Sequence, residues 1–168
     1  WNQVLNGLGI DLSVRNPYWY MTKGEMADEC LNKDFLLQVI QDSISCSSPQ
    51  KARWRGAAPQ HCGYCVPCII RRAAMNKAFR EEGDSTPYLI DNVSEIAASH
   101  EKGKGVQLRS FQIAINKIKK QPQRTKILIH KSGPLSGDSA YLQELSEVYL
   151  RGLLEVDDFI IKSTESES

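Results

Sequence analysis

The sequence predicts a mostly α-helical protein that is held together by a cluster of four cysteines. Two observations support this fold class. Apolar residues recur at helical spacing in several segments, most clearly in the second half of the chain. Three cysteines, Cys62, Cys65 and Cys68, form a C-x2-C-x2-C run, and Cys46 lies upstream. Two-residue gaps let a turn direct successive sulfurs at one point, and a cysteine from elsewhere completes a shell of four thiolates.

The 168-residue chain has the size of one domain, or of one domain with an extension. Hydrophobic residues make up 41% of it, but no apolar run approaches the roughly 20 residues of a transmembrane helix. No secretory signal precedes the first elements, so we expect a cytoplasmic protein without membrane contact. Because the chain begins at Trp1 and not at Met, we expect a piece of a longer protein. We divide it into residues 1–82, which carry the cysteine cluster, and a helical extension over residues 83–168.

The first elements are predicted from local signals. Residues 8–14 are predicted to form a short strand that ends before Pro17, which disfavours helix at the preceding residue. Thr22 and Glu25 stand in the spacing of a capping box, which predicts a helix start. The helix carries an apolar face, and Cys30 on that face is interpreted as a small core residue. The residues of this face are Met26, Ala27, Cys30 and Leu31.

The cysteines lie between two predicted helices. A short helix covers residues 35–40, and the chain then reaches Cys46. Residues 47–61 are rich in Ser, Pro, Gly and Ala, which is typical of a loop. The next helix is predicted over residues 66–82, so that Cys68 lies in its first turn, where the helix dipole favours a thiolate.

The second half is predicted to be an all-α packing module. A long connection contains a short helix at residues 93–100, and a longer helix covers residues 107–120. Residues 126–130 form a short buried piece whose type the periodicity leaves open. A cap at residues 136–138 precedes a last helix that continues through Leu153.

Five cysteines in a chain without secretory features favour a metal over disulfides. Zinc is the default metal, since the further C-x3-C-P of the usual ferredoxin run is absent. Redox thiols and unligated thiols are the alternatives. A shell of four thiolates is closed, which indicates a structural role. His61, next to Cys62, is interpreted as a hydrogen-bond neighbour and not as a ligand.

Charge is unevenly distributed, although the net charge is only +1. No acidic residue lies between Asp42 and Glu81, and part of this basic character is expected from the negative charge of a zinc tetrathiolate. The basic residues in this stretch are Lys51, Arg53, Arg55, Arg71, Arg72, Lys77 and Arg80. Trp54 stands between Arg53 and Arg55, which predicts either a stacking platform for a base or a packing anchor.

Several short motifs together resemble the C-terminal part of QueC-like 7-cyano-7-deazaguanine synthases. Within that family the resemblance is closest to QatC, the QueC-like component of the Qat anti-phage defence system, and it covers about residues 5–80. The motifs are Asn16-Pro17, Thr22-Lys23-Gly24-Glu25, Ser45-Cys46, His61-Cys62-Gly63-Tyr64-Cys65-Val66-Pro67-Cys68 and Arg71-Arg72-Ala73-Ala74.

The resemblance implies an adenine-nucleotide α-hydrolase-like (PP-loop) α/β fold with a zinc site near the substrate pocket. It further implies an ATP-dependent ligase that activates a carboxylate as an adenylate and converts it to an amide and a nitrile. Carried over to this chain, it makes Cys46, Cys62, Cys65 and Cys68 the zinc ligands. Arg71 takes the family's position after the last cysteine. We expect Arg71, Arg55 and Trp54 to contact a deazapurine-type small molecule.

The chain departs from the family in two places. The family's nucleotide loop, S-G-G-x-D-S, is absent, and the similar residues 132–139 are interpreted as a loop and a helix cap. The spacing from Cys46 to Cys62 is longer than is usual, with residues 51–61 as an apparent insertion. We therefore expect no catalytic residue in this chain, and ATP bound mainly by a missing N-terminal half or a companion chain.

A non-catalytic alternative remains open. A zinc-stapled helical module would bind a partner protein, or less readily a nucleic acid, through basic residues of the 51–80 stretch. Proteins of the defence system are further candidate partners, whether the chain is part of a ligase or a non-catalytic module.

Overall fold

The computed structural model describes residues 1–80, 84–98, 103–135 and 137–165. Side chains of Arg55, Ala98 and Ser132 lie outside this description. The described part is mostly helical and contains no β-strand, which confirms the predicted helical class. None of its helices combines the length and the apolar character that a membrane span requires.

Helices follow one another along the described ranges, joined by irregular segments and short 3₁₀ turns. The α-helices are α1 (Asn2–Gly7), α2 (Lys23–Asp28), α3 (Lys33–Ile40), α4 (Val66–Ala78), α5 (Val93–Ala98), α6 (Lys104–Lys120), α7 (Thr125–Leu128) and α8 (Ser139–Glu165). The 3₁₀ turns are Pro49–Arg55, Pro122–Arg124 and Ile129–Ser132.

The predicted strand at residues 8–14 is wrong. This segment is irregular, and its apolar side chains are exposed, with Leu8 and Leu12 each at 69%. The side-chain amide of Asn2 accepts from the backbone N–H of Val14 at 2.7 Å and donates to its carbonyl at 3.0 Å, which closes the segment into a loop. Alternating apolar residues fit a strand, but the described part of the chain provides no partner strand, and an unpaired strand is not stable.

The predicted capping box is confirmed. The Thr22 hydroxyl accepts from the Glu25 amide at 3.0 Å, and the Glu25 carboxylate accepts from the Thr22 amide at 2.8 Å. Helix α2 ends at Asp28, so the last two residues of the predicted apolar face lie beyond it. Leu31 is fully exposed, and Cys30 is half-buried and not a core residue.

One hydrophobic core joins α4, α5, α6 and α8, and it draws on both predicted segments of the chain. Its fully or nearly fully buried members include Ile69, Ala73, Ile96, Leu108, Ile115, Ile118, Leu153, Val156 and Phe159. Helix α8 continues to Glu165, beyond the predicted end at Leu153, because its apolar face continues. The division at residues 82 and 83 stays a prediction.

Ion pairs attach α8 to α2 and α4 beside this core. Lys77 Nζ lies 2.8 Å from Glu155 Oε1, and Arg151 Nε lies 2.6 Å from Glu25 Oε1. The Thr22 hydroxyl donates to the Glu155 carboxylate. Partial burial by itself raises the pKa of Glu25, but hydrogen bonds from Arg151 and from the Thr22 amide outweigh it and hold that pKa below the ordinary 4.5.

The remaining helix predictions hold in part. Residues 126–130, whose type was open, are helical, but the prediction that they are buried is wrong, since none of the five is buried and Ile127 is 75% exposed. Helix α4 ends at Ala78, and Phe79 has already left the helical conformation, so the predicted continuation to residue 82 is wrong. Residues 99–100 of the helix predicted over residues 93–100 lie outside the described residues. The cap of α8 comes from Asp138, whose Oδ1 accepts from the Tyr141 amide at 2.8 Å.

Candidate metal centre

Four cysteine sulfurs meet at one place, as the spacing predicted. The Sγ atoms of Cys46, Cys62, Cys65 and Cys68 all lie within 4.8 Å of one another. Three of the cysteines are buried, and Cys46 is half-buried. Cys30 does not belong to this group of metal-competent residues. The cluster can therefore hold a metal ion, and its ligand set suits zinc.

Distances between the sulfurs match a tetrahedral metal site. Zinc–sulfur bonds of about 2.3 Å in a regular tetrahedron place the sulfurs about 3.8 Å apart. Cys46 Sγ lies 3.8 Å from Cys65 Sγ, and Cys62 Sγ lies 3.9 Å from Cys68 Sγ. Two opposite edges of the tetrahedron thus already have the required length, and the other sulfur pairs all lie within 4.8 Å.

Local sequence explains why the knuckle has this shape. Cys65 is the N-cap of α4, and Pro67 occupies the first turn, where its missing N–H costs no hydrogen bond. Cys68 therefore lies in the first turn, as predicted. Gly63 has φ +87°, and a Cβ atom there would collide with the carbonyl oxygen of Ile90. The turn between Cys62 and Cys65 thus requires glycine at this position.

Backbone amides point at the sulfurs, as expected for sites that stabilise thiolates. The amides of Ser48 and Cys62 each donate to Cys46 Sγ at 3.4 Å. Burial nevertheless raises the pKa of the Cys46 thiol. The hydrogen bond shared with Cys68 and those from the amides of Tyr64 and Cys65 lower the pKa of Cys62 to about 5, although burial opposes them.

The pKa of Cys68, the hydrogen-bond partner of Cys62, shifts in the opposite direction. The hydrogen bond that Cys68 shares with Cys62, in which either sulfur can be the donor, raises the pKa of Cys68 together with burial, and the Gly63 amide opposes them. One thiolate is thus favoured before any metal is considered. A divalent cation would supply the charge that the other three thiols need in order to lose their protons.

His61 lies against the cluster but is not one of the four grouped residues. Its ring is buried, and Nε2 lies 3.0 Å from the Ser43 carbonyl, to which it must donate because a carbonyl only accepts. Nδ1 faces Cys68 Sγ at 3.7 Å. This is the geometry of the hydrogen-bond neighbour that the sequence predicted, and it fixes the ring beside a candidate ligand.

Arg71 is buried between the metal cluster and α3. Its Nη1 donates to the Ser43 hydroxyl at 2.8 Å and to the Ser43 carbonyl at 3.2 Å. Its Nε and Nη2 donate to Thr86 Oγ1, and Nη2 also donates to the Ile40 carbonyl. Every nitrogen of this guanidinium is therefore bonded to the protein. Contact of Arg71 with a substrate stays a prediction.

Trp54 and Arg55 lie on the 3₁₀ turn Pro49–Arg55, in the loop between Cys46 and Cys62. The Trp54 side chain is 89% exposed, so it is not a packing anchor in this structure. The Arg55 side chain lies outside the described residues. A role of either residue in substrate binding stays a prediction.

Basic residues of the acid-free stretch do not share one exposed face. Arg71 and Arg72 are buried, and Lys77 pairs with Glu155. The Arg72 guanidinium lies 4.7 Å from the Tyr88 ring and 5.3 Å from the Phe159 ring. Lys51 and Arg53 at one end of the stretch and Arg80 at the other are exposed, and the hypothesis that residues of the 51–80 stretch bind a partner stays a prediction.

Residues 84–90 support the metal centre, although no motif in the sequence marks them. Leu89 donates its amide to the His61 carbonyl at 2.9 Å, and Tyr88 packs against the cysteines. Asp84 accepts from the Tyr88 hydroxyl at 2.6 Å. No spacing signal connects these residues to the knuckle, which ends 16 positions before Asp84, because their contact depends on the tertiary fold.

Comparisons with known proteins gave no match. No protein-family model, curated protein or solved structure matches the chain.

Proposed function

We propose that Cys46, Cys62, Cys65 and Cys68 hold one structural Zn²⁺ in a protein of the cytoplasm, where thiols stay reduced. The observation that carries this proposal is the meeting of the four sulfurs, with two sulfur pairs separated by 3.8 and 3.9 Å. Four thiolates leave no open coordination position, so the metal would hold the fold together and would not act as a Lewis acid.

Metal analysis of the purified chain tests the proposal. One zinc per chain is expected, and Cys65→Ser should abolish tight binding and prevent stable folding, since structural zinc contributes on the order of 10 kcal/mol. Cys30→Ser is the matched control because Cys30 is a free cysteine outside the cluster. Full zinc content and unchanged stability in Cys65→Ser would contradict the proposal.

We further propose that the chain is the zinc-bearing, C-terminal part of a QueC-like ATP-dependent ligase of the Qat anti-phage type. Support comes from the ordered set of motifs, which combines the capping box at Thr22, Ser45-Cys46, the cysteine knuckle and Arg71. In this proposal a PP-loop half, on the same gene or on a companion chain, binds ATP. The present chain closes the pocket over a deazapurine-type substrate.

Turnover of ATP tests the enzymatic proposal independently of the metal. The chain alone should form no AMP, and the complete protein, or the chain with its companion, should convert ATP to AMP when a carboxylated deazapurine is present. Absence of AMP from the complete protein would contradict the ligase proposal and leave the zinc proposal intact.

A second candidate function is a non-catalytic module that binds a partner protein. One observation favours it: several apolar side chains of the N-terminal segment expose more than half of their surface. They are Val4 at 52%, Leu8 and Leu12 at 69%, and Val14 at 58%. Replacing Leu8 and Leu12 with Asp should weaken binding to the partner without lowering stability. A complete protein that binds its partner but forms no AMP would favour this candidate.

A further inference from the structure

The loop over residues 47–61 is fixed at both ends by candidate metal ligands. Cys46 precedes it and Cys62 follows it, and their sulfurs belong to one cluster. Inside the loop, the Gln60 amide donates to the Pro49 carbonyl at 3.4 Å, and the Ala57 amide donates to the Ala52 carbonyl at 3.1 Å. These hydrogen bonds within the loop give it a defined shape.

The 3₁₀ turn at the tip of this loop sorts its side chains into three rows. In a 3₁₀ helix, residues three positions apart eclipse one another. Ala52 is fully buried and anchors the turn, which leaves the other two rows outside. Lys51 and Trp54 form one outer row, and Gln50 and Arg53 form the other.

The outer rows present an aromatic ring and a cation side by side. Gln50, Arg53 and Trp54 line an open recess of about 420 Å³. Arg53 is exposed, and Lys51 Nζ lies 3.2 Å from the Tyr64 hydroxyl and 5.1 Å from the centre of its ring. No carboxylate occurs in the loop or anywhere in residues 43–80, so nothing acidic in this stretch neutralises these cations.

This combination matches the chemistry of a nucleotide. An exposed indole offers a face on which a base stacks, and stacking of this kind tolerates any base. A guanidinium beside it pairs with a phosphate, and the Gln50 amide can both donate to and accept from a base edge. An acidic peptide would use the cations but would leave the indole face without a planar partner.

We propose that the Trp54 turn binds an unpaired nucleotide, with the base stacked on the Trp54 indole and the phosphate paired with Arg53. The nucleotide is either free or part of a single strand, because both offer an exposed base next to a phosphate. The site is separate from the structural metal role, and the metal would serve it only by holding the two ends of the loop.

Fluorescence titration of the full 168-residue chain tests the site. The probes are a ten-residue oligothymidylate, the same sequence as a duplex, and thymidine monophosphate. We expect the single strand to quench tryptophan fluorescence and to bind more weakly as salt rises. Because Trp54→Ala removes the reporting indole, its affinity is measured by the anisotropy of a fluorescein-labelled strand, and it should be weaker by about tenfold or more, the usual cost of losing one stacked base. Arg53→Gln should weaken it and reduce its salt dependence.

Matched controls separate this site from general attraction. Trp1 is 86% exposed, so Trp1→Ala removes an equally accessible indole, and Arg15→Gln removes an exposed guanidinium elsewhere. Neither control should change binding. Equal effects of Trp1→Ala and Trp54→Ala, or equal affinity for the duplex, would overturn the proposal. Absence of any quenching would overturn it as well.

Two further comparisons identify the source of the ligand and separate nucleotide binding from metal binding. Tighter binding of the strand than of the monophosphate supports a strand as the ligand, and equal binding supports a free nucleotide. Because Trp54 is exposed, Trp54→Ala should keep its fold and its metal content, which metal analysis verifies. A chain without zinc that still shows Trp54-dependent quenching would overturn the metal proposal and uphold this one.

Discussion

At the scale of single residues, Gly63 decides whether the cysteine knuckle can form. Its φ of +87° is a left-handed conformation that residues with a Cβ rarely adopt. A Cβ atom would also collide with the carbonyl oxygen of Ile90, which is backbone and cannot move aside alone. Any residue that replaces Gly63 therefore destabilises the fold in two independent ways, through the backbone conformation and through the collision.

We predict that Gly63→Ala destabilises the chain by about 3 kcal/mol, which combines the left-handed penalty with the collision. Gly56→Ala is the control, since Gly56 has φ +70° and open space around its Cβ direction. Its cost should be about 1 kcal/mol, from the backbone conformation alone. Urea unfolding of both variants measures the difference. Equal losses would contradict the role of the Ile90 contact.

Arg71 supports the same region through its hydrogen bonds. The guanidinium is only 7% exposed, and it joins Ile40 and Ser43, at the end of α3, to Thr86 in a distant part of the chain. A lysine ammonium is a single point and cannot reach these acceptors together. The described contacts are enough to explain why an arginine stands at this position.

Arg71→Lys should therefore lower the unfolding free energy by about 2 kcal/mol, because buried acceptors lose their donors. Lys77→Arg, at a half-exposed position of the same helix, is the control and should change it by less than about 0.5 kcal/mol. Thermal or urea unfolding gives both values. Unchanged stability of Arg71→Lys would leave substrate contact as the main reason for the arginine.

At the scale of secondary structure, the capping box of α2 does more than begin a helix. Glu25 caps the helix and also accepts from Arg151 of α8, and Thr22 also donates to Glu155 of α8. The first turn of α2 is thereby fastened to the last helix of the chain. A local signal thus predicted the helix start, but its long-range partners had no counterpart in the motif.

The ion pairs of Glu25 with Arg151 and Lys77 predict that acid lowers the stability of the folded chain. The pKa of Glu25 is lowered in the folded protein, so its stabilising contribution is fully present above the ordinary 4.5 and is lost as the pH falls through the lower, folded-state pKa. Unfolding free energy should drop in that range, and Glu25→Gln should flatten the drop. Glu29→Gln, which changes an exposed acid just after the same helix, should leave it unchanged. An identical pH profile for Glu25→Gln would contradict this assignment.

Predictions from local sequence succeeded where the cause was local. The cysteine spacing predicted the cluster because two-residue gaps fix the direction of successive sulfurs. The strand at residues 8–14 failed because a period of two in apolar residues says nothing about whether a partner strand exists. The contacts of Arg71 with Ser43 and Thr86 could not be predicted, since they depend on how distant segments pack.

At the scale of the whole molecule, α8 completes a core that α4 begins. Leu153 is 6% exposed and packs in the main cluster with Ile69 of α4, whereas its neighbour Leu154 is 42% exposed. The knuckle sits at the start of α4, so the metal centre and the helical core share one element. Loss of core packing should therefore weaken the whole described assembly.

Leu153→Ala should cost about 3 kcal/mol, as truncation of a buried leucine usually does. Leu154→Ala is the matched control, with the same chemical change at an exposed position, and should cost less than about 1 kcal/mol. Urea unfolding followed by circular dichroism measures both. Similar losses for the two variants would contradict the described orientation of α8.

The central claim concerns the four thiolates, and X-ray absorption at the zinc edge of the purified chain tests it most directly. The account predicts a single shell of four sulfurs at about 2.3 Å. His61 should remain outside this shell, as its hydrogen bond to the Ser43 carbonyl indicates. A nitrogen or oxygen neighbour at about 2.0–2.1 Å, or a chain that binds no zinc at all, would contradict the account.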